Sequence, residues 1–433
     1  MSGRRILAAG WVGYTLLFAT VAVLTPYLPL YLGARGFSPS QIGLLLGSCE
    51  LAGIAGPILV TFLADRLQRY RRFIALSLLG SVGCFLLLHV TRSFAAVLLL
   101  MIALGFCNRP MIPLTDALFG RALDDPIHQY GLVRVAGSVG FLVTSLVLQL
   151  TGWVSASEPV SILVGFAALS APAVIAVASF PPVPRSAEGR DEAASTGSGP
   201  AAALANAAPA GATLPAADVA LPKASSGFDA RFWTVIGVLF LARFGMTAHY
   251  SFFSLYLRDT FAAANVSAIW AIGAAAEVPM VLFSGRILAR FGTRAALTVS
   301  VAAISVRLAL YGLFPFLGVV LPAQLLHALT FGMLHTASVA YVNTTIQASR
   351  RGLGMAVNNA LSLGLASFLA SAAGGYLAEA AGYRVLFLVY AAAPLAGVAV
   401  LAARGRELFG LPSARAAATL NPCESSSSST RRT

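Results

Sequence analysis

The sequence predicts an all-α membrane protein of twelve transmembrane helices, arranged as two pseudo-symmetric six-helix bundles with both chain termini in the cytoplasm. Three observations support this fold class. Only 10% of the 433 residues are charged and 58% are hydrophobic, whereas soluble domains have roughly 25% charged residues. The hydrophobic residues are gathered into twelve long runs, and the basic residues between those runs lie mainly on one side of the predicted membrane.

Each run is long enough to cross a bilayer as a helix. About 20 apolar residues are needed, because the backbone amides must form their hydrogen bonds within the segment. Spans 1 to 6 are Trp11–Leu32, Gln41–Leu63, Phe73–Val90, Ala95–Leu118, Gly131–Gly152 and Pro159–Phe180. Spans 7 to 12 are Phe232–Leu257, Val266–Leu288, Ala295–Phe314, Val319–Thr345, Leu353–Leu377 and Val385–Ala403.

A polar segment divides the spans into two halves. Residues 1–180 and 230–403 hold six spans each, and we expect each range to form one bundle. Residues 181–229 are rich in Ala, Ser, Gly and Pro and have no periodic apolar pattern, which predicts a disordered cytoplasmic linker. Residues 404–433 include a run of serines and predict a disordered cytoplasmic tail.

The net charge of +13 reflects membrane topology and not nucleic-acid binding. If the N-terminus is cytoplasmic, 21 of the 29 lysines and arginines fall on the cytoplasmic side. External loops hold only Arg35, Arg92, Arg258 and Arg384, and the other four lie inside spans. Because basic residues concentrate in cytoplasmic loops, we place both termini there and predict a multi-pass protein of the plasma, or bacterial inner, membrane.

Ionisable side chains inside spans are the candidate functional residues, since a charge in the hydrocarbon costs several kcal/mol unless it is paired or hydrated. We single out Glu50, Asp116, Glu277, Arg109, Arg134, Arg243, Arg307, His327 and His335. Structural pairs, such as Asp116 with Arg134 and Glu277 with Arg307, would be the alternative explanation. Glu50 has no polar neighbours at helical spacing, so helix packing explains it at least as well as function.

Most of these side chains share a helical face with hydroxyl or aromatic residues. Span 5 aligns Arg134, Ser138, Phe141 and Ser145 on one face. Span 7 aligns Arg243, Thr247, Tyr250 and Ser254 in the same way. Spans 8, 9 and 10 align Trp270 with Glu277, Arg307 with Tyr311, and Gln324 with His327, Phe331 and His335. Such stripes predict a water-filled central cavity that binds a partly apolar solute.

The loop after span 2 carries a short motif, an Asp that ends the helix followed by a basic cluster. Asp65, Arg66, Arg71 and Arg72 supply it, although Gln68 occupies one motif position and the usual Gly is poorly matched. The motif and the six-plus-six arrangement resemble the major facilitator superfamily. The resemblance implies that Asp65, Arg66 and Arg72 gate the cytoplasmic side and that the two bundles rock around a central site.

Two groups of that superfamily are similar to this sequence in more detail. Ala64-Asp-Arg66 and Pro113-Leu-Thr-Asp-Ala117 resemble lactose permease. By that resemblance Asp116 and Arg134 bind substrate, while Glu277, Arg307 and His327 fall where the permease has its substrate-and-proton residues. Ala275-Ala-Glu-Val-Pro279 and Gln324-Leu-Leu-His-Ala328, with a second His at 335, resemble the phenylpropionate permease group and its nucleoside-symporter-like relatives.

One departure from lactose permease concerns the coupled proton. The permease carries it on a carboxylate one turn after its span 10 histidine, and here that position is Thr330. Glu277, His327 or Asp116 must then take the proton. We favour Glu277, a buried carboxylate whose access to solvent could switch, and keep His327 as the alternative because imidazole titrates near neutral pH.

We therefore predict a secondary transporter that takes up a small organic solute together with a proton. The expected substrate-binding residues are Asp116, Arg134, Phe141, Arg243, Tyr250, Trp270, Arg307 and Gln324. Four intramembrane arginines against three carboxylates favour an aromatic carboxylate such as phenylpropionate, and a nucleoside or sugar is the alternative. Proton-driven drug antiporters of the superfamily that this sequence resembles carry a Gly-rich motif with a Pro in span 5. Span 5 here has several glycines but no Pro, which argues against an exporter. A non-transporting receptor would need an output domain that the linker and tail do not provide.

Enzymatic activity is not predicted. We find no nucleophilic arrangement, no phosphate-binding loop and no cysteine or histidine spacing typical of a metal site, so we expect no cofactor and no metal. The expected partners are the solute, a proton and membrane lipid. We also expect a monomer.

Overall fold

The structure is a computed structural model that describes residues 3–123, 126–182, 228–263, 265–347 and 350–409. The regular elements of this part of the chain are helices. The first seven are α1 Gly3–Ala34, α2 Pro39–Leu67, α3 Tyr70–Val90, α4 Phe94–Asn108, α5 Met111–Ala122, α6 Pro126–Thr151 and α7 Pro159–Val177. The others are α8 Ala230–Phe261, α9 Val266–Leu313, α10 Leu317–Ala323, α11 Leu334–Thr345, α12 Arg351–Asn358 and α13 Ala366–Leu408.

Ten stretches of the described residues are helical, long and apolar enough to cross a membrane. Two of them, Val266–Leu313 and Arg351–Leu408, contain 48 and 58 residues, about twice or more what one crossing needs. Gly292 and Gly382 interrupt these stretches with φ of 77° and 82°. Glycine tolerates positive φ because it has no Cβ, so each long stretch consists of two helical segments joined at a glycine.

Helix boundaries follow from side chains that satisfy free backbone groups. Ser38 precedes α2 and accepts a hydrogen bond from the amide of Gln41, whose side chain accepts in turn from the amide of Ser38. This reciprocal capping box replaces hydrogen bonds that the first helical turn lacks. Asp229 caps α8 with one hydrogen bond, which its carboxylate accepts from the amide of Phe232. Both caps fix where a long apolar helix begins.

Three predicted spans are irregular in the middle. Span 4 is interrupted at Arg109 and Pro110, between α4 and α5. Span 10 passes from α10 through a 3₁₀ turn, Gln324–Leu326, and a π-helical segment, Ala328–Met333, into α11. Span 11 contains a second π-helical segment, Asn359–Leu365, between α12 and α13. Irregular helix turns are frequent at functional sites, and irregular backbone at membrane depth is tolerated where it lines a cavity.

The helices before residue 182 (the N-terminal group) meet those after residue 228 (the C-terminal group) along α1–α8, α2–α13 and α6–α9. The closest approach lies near the end that carries the connection 35–38. A Cβ at Gly43 would lie only 2.2 Å from the carbonyl oxygen of Ser371, and one at Gly375 would lie 2.3 Å from that of Pro39. Glycine at these positions lets α2 and α13 pack backbone against backbone.

Most of the predicted linker and tail lies outside the described residues, which omit 183–227 and 410–433. Part of the predicted tail is described, and there helix α13 continues to Leu408. The tail prediction therefore began too early, because residues 404–408 extend the last helix.

Candidate transport site

A cavity of about 460 Å³ lies between the two groups of helices. Both groups line it, with side chains from α1, α2 and α6 on one side and from α8 and α9 on the other. Nine predicted site residues are among its walls, namely Arg134, Phe141, Arg243, Tyr250, Trp270, Glu277, Arg307, Gln324 and His327. Asp116 is not. The structure thus brings together residues from five predicted spans around one space.

Arg307 is buried, with 2% of its surface exposed, and every N–H of its guanidinium has a neutral acceptor. Nε donates to the Tyr311 hydroxyl at 2.7 Å. Nη1 contacts Nδ1 of His327 at 3.2 Å and the Thr330 hydroxyl at 3.3 Å. Nη2 contacts Nε2 of His249 at 3.2 Å and donates to Oε1 of Gln324 at 2.6 Å. A guanidinium has five N–H groups, so Arg307 has none left for a ligand.

This network assigns the tautomers of two histidines. A guanidinium only donates hydrogen bonds, so the ring nitrogens that face Arg307 must be acceptors. In the neutral rings the protons then lie on Nε2 of His327 and on Nδ1 of His249. Nε2 of His327 is 3.8 Å from Oε2 of Glu277, whereas Nδ1 of His249 is buried without a partner in the described chain.

The irregular turns of span 10 present its polar face to the cavity. The rings of His327 and Phe331 stack with centroids 5.5 Å apart and planes at 5°, and Phe331 stacks on His335 at 6.4 Å. His327 precedes the π-helical segment and Phe331 lies in it. A Cβ at Gly273 would lie 3.3 Å from Cβ of His327, so the absence of a side chain there lets α9 approach the histidine closely.

Asp116 lies behind Arg134 in the N-terminal group. The Tyr14 hydroxyl donates to its carboxylate, and Nε of Arg134 is 3.9 Å away. Arg134 itself lines the cavity and lies over the ring of Phe18, with 4.5 Å from its guanidinium carbon to the ring centroid. The carboxylate therefore orients Arg134 and does not itself form part of the cavity wall.

Arg243 has the least satisfied guanidinium in the cavity. Its side chain forms no hydrogen bond or ion pair with the residues that the structure describes. Tyr250, Glu50 and Arg109 are the neighbours that act on its charge. A half-buried cation without a fixed counter-ion is a natural position for the anionic group of a ligand.

Three ionisable residues that line the cavity, Glu50, Arg109 and His249, are not among the predicted substrate-binding or proton-coupling residues. Glu50 forms an ion pair with Arg109, and both line the cavity, although Glu50 has no polar stripe on its own helix. His249 lines the cavity and contacts Trp270, with ring centroids 4.8 Å apart. The criterion that selected His327, an imidazole inside an apolar span, would also have found His249.

The suggested pair of Glu277 with Arg307 does not form. Instead Glu277 faces His327, and Arg307 bonds only to neutral groups. The suggested pair of Asp116 with Arg134 is present. Helical spacing identified the faces of these spans, but it could not determine which residue of a neighbouring helix each charge would meet.

At the predicted cytoplasmic end, Asp65 is held within the N-terminal group. Nη1 of Arg121 lies 2.9 Å from Oδ1 of Asp65, and the Tyr70 hydroxyl donates to the same oxygen. Arg66 and Arg72 are exposed, and the described part of the chain gives them no hydrogen bond or ion pair. Asp65 therefore meets Arg121, at the end of α5, and not the adjacent arginines of its own motif.

The described residues contain no group of three or more His, Cys, Asp or Glu side chains placed to hold a metal ion. The polar groups of the cavity are instead guanidinium, carboxylate, imidazole and amide groups between aromatic rings. Groups of these kinds are suited to an organic solute, through charge, hydrogen bonds and stacking.

The chain is similar to known membrane transporters. Residues 11–389 match the profile described as the MFS_1 like family. The chain belongs to that family. It is 26% identical over 403 residues to a probable 3-phenylpropionic acid transporter of Escherichia coli (strain K12), covering 90% of this chain and 95% of the relative. It is 22% identical to the maltose permease of Geobacillus stearothermophilus, over 90% of this chain and 92% of that protein.

A solved structure of the nucleoside transporter NupG has the same fold. It superposes with a TM-score of 0.73 at 16% identity, covering 94% of this chain and all of that one. The protein is thus a transporter of the major facilitator type, an integral multi-pass protein of the plasma (bacterial inner) membrane, and not an enzyme. The predicted relation to the phenylpropionate permease and nucleoside transporter group is confirmed.

Proposed function

We propose that this transporter takes up a small aromatic carboxylate together with a proton, by alternating access of the cavity to the two sides of the membrane. Arg243 is the observation that carries the proposal, because it is a cavity-lining guanidinium without a partner in the described chain. Tyr250, Trp270 and Phe331 line the same cavity and offer flat apolar walls. A carboxylate attached to an aromatic ring matches both features.

The charge balance of the membrane interior supports an anion. Four arginines, Arg109, Arg134, Arg243 and Arg307, stand against three carboxylates, Glu50, Asp116 and Glu277. With neutral histidines and three ionised carboxylates the sum is one positive charge, and protonation of Glu277 raises it to two. The interior is therefore positive in both states, which favours an anion. A nucleoside or sugar is the second candidate. Similarity to a maltose permease and to a nucleoside transporter favours it. The polar side chains of Asn108, Ser138 and Asn359 in the cavity walls also favour it.

The proposed topology has twelve spans with both termini in the cytoplasm. Ten long helical stretches, two of them divided by Gly292 and Gly382, support that count. The bias of basic residues towards one side supports the orientation. We propose that the N-terminal and C-terminal groups are the two six-helix bundles, that they rock against each other as a monomer, and that Asp65, Arg66 and Arg72 act at the cytoplasmic gate.

Uptake into proteoliposomes tests the proposal. The panel contains 3-phenylpropionate, benzoate, uridine and maltose, each labelled and offered with and without an inward proton gradient. We expect accumulation of an aromatic carboxylate only when the gradient is present. Uptake of 3-phenylpropionate that ignores the gradient would refute proton coupling, and accumulation of uridine or maltose alone would refute the carboxylate.

Arg243→Gln is the matched variant for the anchor. We expect its affinity for the carboxylate to fall by roughly tenfold to a hundredfold, the range for loss of a hydrogen bond to a charged group. Unchanged affinity would exclude Arg243 as the anchor. Arg286→Gln is the control, because Arg286 is another arginine of the C-terminal group and does not line the cavity.

A further inference from the structure

A charged cluster at one end of the cavity has no part in the proposed proton coupling. Glu50 of α2, Arg109 at the α4–α5 junction and Arg243 of α8 all line the cavity. Nη2 of Arg109 donates to Oε1 of Glu50. Both residues also act electrostatically on Arg243, which has no partner of its own in the described chain. One fixed carboxylate therefore bonds to one guanidinium group and acts electrostatically on a second.

The local backbone is shaped to hold Arg109 in this position. A Cβ at Gly53 would lie 2.8 Å from Cγ of Arg109, so only a glycine there lets the arginine side chain lie against α2 near Glu50. Pro110 and Pro113 follow, and neither has a backbone N–H to continue the helical hydrogen bonds. The interruption between α4 and α5 places the guanidinium at the cavity wall.

Asn108 adds an unused donor at the same place. Asn108 lines the cavity, and its side-chain Nδ2 is buried without a partner in the described residues. A buried amide donor without an acceptor is unfavourable, and a ligand oxygen would satisfy it. Guanidinium and amide donors in the wall of one cavity favour a carboxylate ligand, which accepts several hydrogen bonds.

The charge of the cluster determines which carboxylates fit. Arg109 and Arg243 contribute two positive charges and Glu50 one negative charge, so the cluster carries one net positive charge. Outside it, Arg134 faces Asp116, and the guanidinium of Arg307 is fully bonded to neutral groups, one of which, His327, faces Glu277. One bound monoanion would neutralise the cluster. A dianion would leave one negative charge at membrane depth without a counter-ion, which is unfavourable.

We propose that Glu50, Arg109, Arg243 and the Asn108 amide form the carboxylate subsite, and that Glu50 restricts this subsite to monocarboxylates. The inference rests on the proposed function, because it assumes an anionic solute. The Glu50 carboxylate is a fixed anion that accepts a hydrogen bond from the Arg109 guanidinium, so fewer N–H groups of Arg109 remain for a ligand. Its removal would give a subsite with two positive charges that accepts two carboxylates.

Two ligands of the same skeleton test the inference. Benzylmalonate is 3-phenylpropionate with a second carboxylate on the carbon that bears the first. Dissociation constants for both are measured by calorimetry on the full-length protein in nanodiscs, at one pH and without a gradient. The wild type is expected to prefer 3-phenylpropionate. In Glu50→Gln, benzylmalonate should bind at least about tenfold more tightly than in the wild type, the order of one gained charge-assisted contact.

Three further variants separate selectivity from structure. Glu50→Asp keeps the charge and should keep the preference for the monocarboxylate. Glu277→Gln removes a different cavity carboxylate and should not improve benzylmalonate binding. Glu50→Gln combined with Arg243→Gln returns the cluster to one positive charge, so the gain for benzylmalonate should disappear.

The outcomes are distinguishable. If Glu50→Gln weakens both ligands equally, Glu50 only supports Arg109 and the inference is wrong. The same conclusion follows if Glu277→Gln gives the same benzylmalonate gain, because the effect would then be one of total charge. If the wild type binds uridine or maltose but no aromatic carboxylate, the proposed substrate class fails and the inference fails with it.

Discussion

Nε2 of His327 lies 3.8 Å from Oε2 of Glu277, while the other nitrogen of the same ring accepts from Arg307. The ring therefore has its lone pair engaged on one side and its proton directed at a carboxylate on the other. A further proton that reached this site would find a free lone pair on Glu277 and none on His327. The geometry thus favours Glu277 over His327 as the proton carrier.

Glu277→Gln is expected to abolish accumulation against a gradient and to leave solute exchange intact. The amide is nearly isosteric with the protonated carboxyl group but cannot release a proton, so the loaded carrier can still reorient. Proteoliposomes with an imposed pH gradient measure accumulation, and preloaded vesicles measure exchange. Glu158→Gln, an exposed Glu outside the cavity, is the control. Uphill accumulation by Glu277→Gln would show that another group carries the proton.

Arg307 and Arg243 are expected to respond differently to substitution by Lys. All five N–H groups of Arg307 are engaged by protein groups, and an ammonium cannot reproduce that planar fork. Arg307→Lys should lower the transport rate by roughly tenfold or more and change affinity only about threefold, because it disturbs the tautomers and not a ligand contact. Arg243→Lys should mainly weaken binding. Equal losses of affinity in both variants would contradict this division.

Nine predicted site residues line the cavity, because the property that identifies them is local. Residues spaced three or four apart share a helical face, and Arg134, Ser138 and Phe141 line the cavity as their spacing indicates. Partners across helices are a different matter. Glu50 forms an ion pair with Arg109 although 59 positions separate them in the sequence. Residue spacing within one helix cannot reveal a contact with another helix. Spacing along α2 alone therefore explains Glu50 by helix packing at least as well as by function.

The interruptions of the helices were also not predicted from the sequence, although the prolines that cause one of them are part of it. Pro110 and Pro113 remove two backbone donors, which explains why α4 and α5 separate at Arg109. The π-helical segments at Ala328–Met333 and Asn359–Leu365 contain no proline. These segments pack against α9 and α2, and such contacts between helices cannot be predicted from the local sequence.

Asp65 is expected to be the sensitive member of the cytoplasmic motif. Its carboxylate accepts from Tyr70 and pairs with Arg121, whereas Arg66 and Arg72 are exposed. Asp65→Asn should lower the initial uptake rate roughly tenfold, because it releases a link between α2 and α5 that must hold while the gate moves. Arg66→Gln and Arg72→Gln should stay within about twofold, as expected for exposed charges.

Initial uptake rates at matched expression measure all three variants, with Arg121→Gln as the partner that should resemble Asp65→Asn. A larger loss in Arg66→Gln than in Asp65→Asn would indicate that the gate uses the arginines in another conformation. That result would also show that the ion pair of Asp65 with Arg121 does not explain the role of the motif.

A carboxylate of the C-terminal group caps a helix of the N-terminal group at the predicted external end. Oε2 of Glu379 accepts from the Ser38 hydroxyl at 2.7 Å and from the backbone amide of Ser40 at 3.0 Å. A negative charge at the start of a helix is favourable because the first amides lack partners. The contact joins the two groups beside the close approach of Gly43 and Gly375, so it stabilises the externally closed arrangement.

Glu379→Ala is therefore expected to raise the fraction of protein that is open to the outside. The open-to-closed ratio should increase roughly two- to fivefold, the effect of one exposed ionic contact. Spin labels at Ser93→Cys and Ala381→Cys, on exposed positions of the two groups, report the separation by pulsed electron resonance in a background without the native cysteines. Glu407→Gln is the matched control, because Glu407 pairs with Arg404 on its own helix. An unchanged distance distribution in Glu379→Ala, with the control also unchanged, would show that glycine-mediated packing alone holds the external end closed.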